Sequence, residues 1–241
     1  PASLLGYNVL ITTSNVHDIS ELQSLVESNR VDGMLLTRAL EDDRALQYLS
    51  QVNFPTALTG TCRYDNIIQV DTDNEGAAEK MTTLLIGKGF RRFAFLVKNM
   101  SYNVDRKRHE GFCRALIKNG ISEKDQLFYN GSIRMEFLDA IIENIISKKV
   151  ECIICGDDEI CTMVMSRLQA EGYRIPKDVA IASLYNSTNL DCYSPAVTAV
   201  SVAASQMGGA AVRQLIQRLR GENYEKKTML DYDILFRKST N

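Results

Sequence analysis

The stretch ECIICGDDEICTMV places three carboxylates side by side where an apolar run gives way to a helical pattern. Asp157, Asp158 and Glu159 follow Gly156 directly, and the run before them, Cys152–Cys155, is typical of a buried strand. Acidic side chains at such a place can serve as catalytic acids, metal ligands, helix caps or contacts to a small molecule. The remaining sequence has to decide between these roles.

The cysteines and histidines do not have the arrangement of a metal site. Cys152 and Cys155 share the spacing of a C-x-x-C motif, but residues three apart on a strand point to opposite faces. The other four cysteines are scattered, which favours buried free thiols in a reducing compartment. His17 and His109 are the only histidines, and they lie far apart in the sequence. We therefore expect no metal and no cofactor.

An enzymatic role finds little in the sequence to support it. One alternative is a sugar-modifying hydrolase in which Asp157 works with a second acid. However, the sequence shows no paired nucleophile and base, and no phosphate loop of the G-x-x-x-x-G-K type. We expect a binding protein with no catalytic residues.

Composition excludes further classes of protein. The chain has 241 residues, 45% of them hydrophobic, and a formal net charge of -2. A domain that binds nucleic acid unaided usually has a basic surplus, which is missing here. No apolar run is long enough to cross a bilayer, so we expect no membrane association, and no secretory signal is visible at the first residues.

Strand and helix patterns alternate along almost the whole chain, which predicts parallel sheets covered by helices. About ten strands is many for one small open sheet, so we expect an α/β protein with two doubly wound parallel-sheet subdomains. The predicted strands are YNVLIT, VDGMLL, PTALTG, NIIQV, RFAFLV, QLFYNG, ECIICG, DVAIASLY, AVTAVSV and TMLDYDILF. The predicted helices are DISELQSLVESN, EDDRALQYLSQ, DNEGAAEKMTTLLIGKGF, DRKRHEGFCRALIKNG, RMEFLDAIIENIISKK, EICTMVMSRLQAEG and ASQMGGAAVRQLIQRLRG.

Several of these stretches, in their order and spacing, resemble the lactose-repressor and galactose-repressor (LacI/GalR) family of bacterial transcription regulators. They are QVDTDNEGAAEKMTTLLIGKGFRRFAFLV, the R-x-x-G-F of RHEGFCRAL, DDEICTMVMSRLQAEGYRIPKDVAIASLYN, CYSPAVTAVSV and FRKST. The likeness covers nearly the whole chain.

The resemblance implies a periplasmic-binding-protein-like core whose two subdomains are joined by three crossovers. Residues 1–70 plus 202–228 would form the N-terminal subdomain, and 71–201 plus 229–241 the C-terminal subdomain. A small effector, sugar-like, nucleoside-like or related, would bind between them in a cytoplasmic homodimer that represses transcription. The alternative on the same fold is an extracytoplasmic solute-binding protein of a transport system, against which the six scattered cysteines argue.

The same resemblance implies segments upstream of Pro1. The family's helix-turn-helix head, through which operator DNA is bound, has no counterpart in the sequence. The first core strand and most of the first helix also have none. Because the first strand of a doubly wound sheet lies inside it, its loss would leave neighbouring strands unpaired. We expect upstream residues in the native protein.

Three residues are implied as effector contacts. Arg108 matches the family's effector-contacting arginine, and its planar fork suits carboxylate, phosphate or vicinal hydroxyls. Spacing favours Arg108 over Arg106 as the inward arginine. Asp157 stands where the family usually has an asparagine, and it could equally be a capping acid. Tyr185 replaces a common aspartate, so we expect an effector with a planar or partly apolar portion instead of a bare hexose.

Two further residues, Tyr102 and Asn186, lie on loops next to these positions and are expected to line the same cavity. Asp158 is expected to be the helix cap near the site, accepting backbone N–H groups at the helix start.

A dimer contact is expected in the CYSP segment. In the family this segment lies near the subunit contact, and Cys192, Tyr193 and Pro195 bring apolar and aromatic groups to a loop.

Overall fold

The computed structural model describes residues 2–13, 18–131 and 135–241, without the side chains of residues 135 and 136. The chain divides into two compact units. Unit 1 consists of Pro1–Thr72, Ser101–Asn103 and Ala203–Leu230, and unit 2 of Asp73–Met100, Val104–Val202 and Asp231–Asn241. His17 and Arg134, the latter the first residue of a predicted helix, lie outside the described residues.

Unit 1 is built on a four-stranded sheet in the order β1-β2-β3-β9, with parallel pairing throughout. Helix α8 packs on one face, where Ala211 and Leu215 contact Ala57 and Val70 of the sheet. The other face is covered by α1 and α2. The strands are β1 Met34–Leu36, β2 Thr56–Thr59, β3 Ile68–Thr72 and β9 Lys227–Leu230, and the helices are α1 Ser20–Glu27, α2 Arg44–Gln51 and α8 Ala204–Leu219.

The first predicted strand, YNVLIT, is wrong. Residues 7–12 have no regular secondary structure, and Val9, Leu10 and Ile11 are exposed. The segment has the composition of a strand, but a strand is stable only beside a neighbour that completes its hydrogen-bond ladder. None of the described strands pairs with it.

Unit 2 contains a six-stranded sheet in the order β10-β8-β7-β6-β4-β5. All pairs are parallel except that of β10 with β8, which is antiparallel. The strands are β4 Phe93–Val97, β5 Leu127–Asn130, β6 Cys152–Cys155, β7 Ala180–Ser183, β8 Thr198–Val202 and β10 Tyr232–Leu235, and the helices are α3 Asn74–Gly87, α4 Asn103–Lys118, α5 Met135–Ser147, α6 Asp158–Ala170 and α7 Thr188–Cys192.

Helices cover both faces of the unit 2 sheet, as the continuous apolar strands predict. Helices α3 and α4 pack on one face together with Cys152 and Ile154, and α5 and α6 pack on the other with Ile153 and Cys155. The prediction that Cys152 and Cys155 point to opposite faces is confirmed. A shared metal ion at this pair is therefore sterically excluded.

The last predicted strand, TMLDYDILF, is two strands and not one. Lys227–Leu230 joins the unit 1 sheet, whereas Tyr232–Leu235 pairs with β8 in unit 2. Asp231 separates them, at one of the places where the chain passes between units; it also does so after Thr72 and Val202 and on either side of Ser101–Asn103. A continuous strand pattern cannot show that its two halves find different sheets, because pairing partners are set by tertiary structure.

Candidate functional site

The carboxyl ends of three adjacent strands meet at one edge of the unit 2 sheet. In the register of the sheet, Leu96 of β4 lies beside Cys155 of β6, and Cys155 lies beside Ser183 of β7. The segments that follow these strands therefore begin side by side, and we call this place the carboxyl edge. Ligands of open α/β sheets bind at such edges.

Arg108 lies buried at the carboxyl edge, with 8% of its surface exposed. Its Nε donates to the side-chain oxygen of Asn74 at 3.1 Å, and its Nη1 donates to the backbone carbonyl of Gly156 at 2.6 Å. Arg106 is only half-buried and lies 3.9 Å from the carboxylate of Glu110. The prediction that Arg108 is the inward arginine is confirmed.

Two glycines allow this arrangement. A Cβ atom on Gly111 would lie 2.1 Å from the backbone oxygen of Glu75, so only glycine lets α4 come this close to α3. A Cβ on Gly156 would lie 2.9 Å from a methyl group of Val97. Both close approaches bring Arg108 within reach of Asn74 and Gly156. This explains why the R-x-x-G-F motif has a glycine three residues after the arginine.

The cap of helix α6 is Asp157, and the prediction that Asp158 caps it is wrong. Asp157 has extended backbone angles, and its side chain accepts from the backbone N–H of Ile160 at 2.9 Å. Asp158 is already the first helical residue. An N-cap must lie outside the helix for its side chain to reach back to the free N–H groups, so the acid one position earlier takes the role.

The second carboxylate oxygen of Asp157 lies 2.9 Å from the ammonium of Lys98, the residue after β4. Lys98 also donates to Glu159 in the first turn of α6. Burial lowers the pKa of Lys98, but its hydrogen bonds to Glu159 and Asp157 raise that pKa by more, so the lysine stays charged. Both oxygens of Asp157 are thus engaged within unit 2.

Asp105 is a buried carboxylate that the sequence reasoning missed. It lies one turn before Arg108 on α4 and accepts from the backbone N–H of Asn99 at 3.0 Å. Burial raises the pKa of Asp105 by more than the Asn99 hydrogen bond and the charge of Arg108 lower it. A signal existed, because residues three apart on a helix share a face.

Tyr185 and Asn186 follow β7 at the same edge, and both are half-buried. The backbone oxygen of Tyr185 accepts from Ser183 Oγ at 2.6 Å, which shapes the turn. Asn186 Oδ1 accepts from Arg237 Nη1 at 2.9 Å, and Arg237 also pairs with Asp191. The side-chain oxygen of Asn186 is therefore held by the protein itself.

Tyr102 is not in the same unit as the other expected contacts. The segment Ser101–Asn103 groups with unit 1, where Tyr102 forms a β-bridge with Leu40. Arg38 donates to the Tyr102 hydroxyl at 3.0 Å, and its guanidinium carbon lies 5.3 Å from the ring centroid. The ring thus has a cation against one face before any ligand is considered.

The expected dimer segment lies at the end of α7. Cys192 is exposed, whereas Tyr193 is half-buried and packs partly against the core of its own unit. The peptide bond between Ser194 and Pro195 is cis. The apolar character of Tyr193 thus has a partial explanation within unit 2, and the dimer contact stays a prediction.

All six cysteines are free thiols, and three of them, Cys152, Cys155 and Cys161, are buried. Burial raises the pKa of the Cys152 thiol, so it stays protonated. Within the described part of the chain, no group of three or more histidine, cysteine, aspartate or glutamate side chains is placed to hold a metal ion. Among the described helices, none is long and apolar enough to cross a membrane.

A surface cavity of about 960 Å³ lies at the other edge of the unit 2 sheet, before the amino ends of β4, β6 and β7. Its cations include Lys88, Lys149 and Arg174, which lie at or just beyond the ends of α3, α5 and α6. Cations at helix carboxyl ends are favoured by the helix dipole. The cavity lining therefore has a structural explanation, and the carboxyl edge is the candidate site.

The comparisons with known proteins agree on one family. The family model for the periplasmic binding protein-like domain matches residues 82–240. The HTH-type transcriptional regulator CelR of Thermobifida fusca is 26% identical over 237 residues, covering 96% of this chain and 70% of that protein. A crystal structure of a LacI transcriptional regulator from Bacillus cereus subsp. cytotoxis NVH 391-98 matches with a TM-score of 0.90 and 28% identity, covering 99% of this chain and 87% of that one.

The chain belongs to the periplasmic binding protein-like domain family, and its relatives are LacI-family regulators. A further solved LacI-family relative, CelR in complex with cellobiose, matches with a TM-score of 0.80 and 26% identity over 91% of this chain and 69% of that one. The predicted periplasmic-binding-protein-like fold is confirmed. The relatives of this chain are DNA-binding transcriptional regulators. The prediction of a transcriptional regulator is therefore confirmed in preference to that of a solute-binding protein for transport.

Proposed function

We propose that this chain is the effector-binding and dimerisation core of a cytoplasmic bacterial repressor, and that it binds a small molecule without chemical turnover. The observation that carries the proposal is the carboxyl edge of unit 2. There the buried guanidinium of Arg108 and the carboxylate of Asp157 flank Gly156 in a chain whose relatives are LacI-family regulators.

Rigid polar groups at this edge suit recognition better than catalysis. Arg108 is held by Asn74 and Gly156, and Asp157 by Ile160 and Lys98. Groups fixed in advance lose little entropy when a ligand binds, which favours affinity. An acid-base catalyst needs a side chain free to exchange a proton, and Asp157 is committed to its cap and its ion pair.

The proposed effector is sugar-like or nucleoside-like. A relative has been solved with cellobiose, which makes neutral sugars the first probes. Tyr185, two residues after β7 at the carboxyl edge, would offer the ligand a flat apolar surface with one polar tip, so a ligand with a planar portion is the second class. Arg108, Asp157, Tyr185, Tyr102 and Asn186 are the proposed contacts.

The proposal has two further parts. The chain dimerises through Cys192, Tyr193 and Pro195, and the protein binds its operator through a helix-turn-helix head. Relatives that carry the HTH-type description support the second part. A repressor acts where its operator is, which is why the proposed location is the cytoplasm.

A thermal-shift screen tests the function. The panel contains cellobiose, glucose, pentoses, nucleobases and nucleosides, and a true effector at a hundred times its dissociation constant stabilises by about 2.7 kcal/mol. Tyr185→Ala should abolish the shift. Tyr173→Ala, which removes another half-buried tyrosine of unit 2 from the opposite sheet edge, should keep it. Turnover of any ligand, or no saturable ligand in a broad screen, would refute the proposal.

A further inference from the structure

Lys98 occupies a central position at the carboxyl edge. It follows β4 directly, and β4 lies between β5 and β6 in the sheet. Its ammonium lies 2.9 Å from Asp157 Oδ2 and also donates to Glu159. These two acids lie at the start of α6, so the lysine connects the ends of two neighbouring strand-helix units.

The two acids orient the ammonium and leave part of its capacity unused. A lysine ammonium has three N–H donors. In the described residues, Asp157 and Glu159 are its only hydrogen-bond partners, and 38% of the side chain is exposed. Two acids thus occupy two of the three donors, and among the described residues the third N–H has no protein partner. Such a preoriented donor binds an oxygen acceptor with little further loss of side-chain entropy.

The charges around Lys98 determine which acceptor it can take. Lys98 and Arg108 are cations at the carboxyl edge. Acids at the same edge include Asp157 and Glu159, which contact the Lys98 ammonium, and Asp158 in the first turn of α6. A phosphate or carboxylate placed against Lys98 would be repelled by the nearby carboxylates, whereas a hydroxyl or carbonyl oxygen would not.

We propose that Lys98 is a specificity-determining residue of the effector site: it donates a hydrogen bond to a neutral oxygen of the ligand, and the acids that hold it reject phosphorylated and carboxylated analogues. The inference rests on the effector-binding function proposed above. It assigns a role to a residue that matches no expected contact, and it gives Asp157 a second role, that of holding Lys98, beside its proposed ligand contact.

Isothermal titration calorimetry with matched ligand pairs tests the inference. The pairs are glucose and glucose 6-phosphate, cellobiose and cellobionate, and adenosine and adenosine monophosphate. We expect the parent chain to bind the neutral member of one pair at least about tenfold more tightly than its charged partner. Lys98→Met should weaken binding of that neutral ligand about tenfold or more, as expected for loss of a charged donor, and Lys98→Arg should retain more affinity.

Glu159→Gln keeps the lysine and removes one negative charge. It should therefore reduce the difference in affinity between the neutral ligand and its charged partner. Lys118→Met is the matched control, because Lys118 forms an ion pair with Glu79 away from the carboxyl edge, and it should change neither affinity. Tighter parent binding of the charged members, or unchanged affinity in Lys98→Met, would overturn the inference while leaving the proposed function intact. Absence of any ligand for the parent chain would overturn both.

Discussion

Replacing Arg108 by alanine gives a direct test of how the carboxyl edge is held together. The change removes the donors to Asn74 and to the Gly156 carbonyl from a position that is 8% exposed. Each hydrogen bond from a charged donor contributes about 1.5–3 kcal/mol. The variant also no longer has to bury a charge, which offsets part of this effect. The expected net decrease in the free energy of unfolding is therefore about 3 kcal/mol. For a chain of this length, this loss corresponds to a melting temperature lower by about 6–12 °C.

Urea denaturation of the ligand-free protein measures this loss, with Arg114→Ala as the control on the same helix. Arg114 pairs with Glu75 and Glu79, but its side chain is 50% exposed. Exposed ion pairs contribute about 0–1 kcal/mol, so the control should lose little stability. Arg108→Lys should fall between parent and alanine, because a single ammonium cannot reproduce the fork of donors. Equal urea midpoints for Arg108→Ala and Arg114→Ala would show that the two buried hydrogen bonds do not stabilise the edge.

Three further outcomes are expected. Because the pKa of Asp105 is raised in the folded chain, its contribution favours folding only while it is protonated, and that contribution is lost as pH rises from about 3.8 through the folded pKa. Asp105→Asn should remove this component of the pH dependence. The measurement is the urea midpoint at pH values from 4 to 7, and a variant whose midpoint changes with pH as steeply as that of the parent would contradict the prediction. Asp157→Ala should lower the free energy of unfolding by about 1 kcal/mol, because the helix cap is removed, and Asp158→Ala should lower it clearly less. If thermal melts show the larger loss for Asp158→Ala, then Asp158 is the cap. Cys192→Arg should weaken the proposed dimer in sedimentation velocity without changing the melting temperature, and a parent chain that sediments only as monomer at micromolar concentration would refute the dimer contact.

Much of the fold could be predicted because it depends on local patterns. Continuous apolar runs such as Phe93–Val97 and Cys152–Cys155 are buried on both sheet faces, as their composition indicates. The helical stripe of α3 likewise buries Met81 and Leu85. Strand identity failed where pairing mattered: residues 7–12 have the right composition and no described partner strand. Residues 228–236 have one pattern and belong to two sheets.

The site shows the same division at the level of single residues. The sequence indicated Arg108 and the acids after β6 because their types and order are local features. It could not choose the capping acid, since Asp157 and Asp158 differ only in backbone conformation at the helix start. Tyr102 was expected beside the other contacts from its place before α4, but its segment groups with unit 1.

The hydrophobic period of the sequence by itself therefore determined the α/β class, because that period is a property of neighbouring residues. The order and spacing of its motifs gave the family resemblance, and with it the inward arginine. Tertiary structure alone decided that Lys98 is held by Asp157 and Glu159, which lie about sixty residues further along the chain. It alone placed Asp105 in a buried environment and tied Asn186 to Arg237. The physical reason is the parallel sheet: its register brings the ends of β4, β6 and β7 to one edge, and only there do distant side chains share charge and hydrogen bonds.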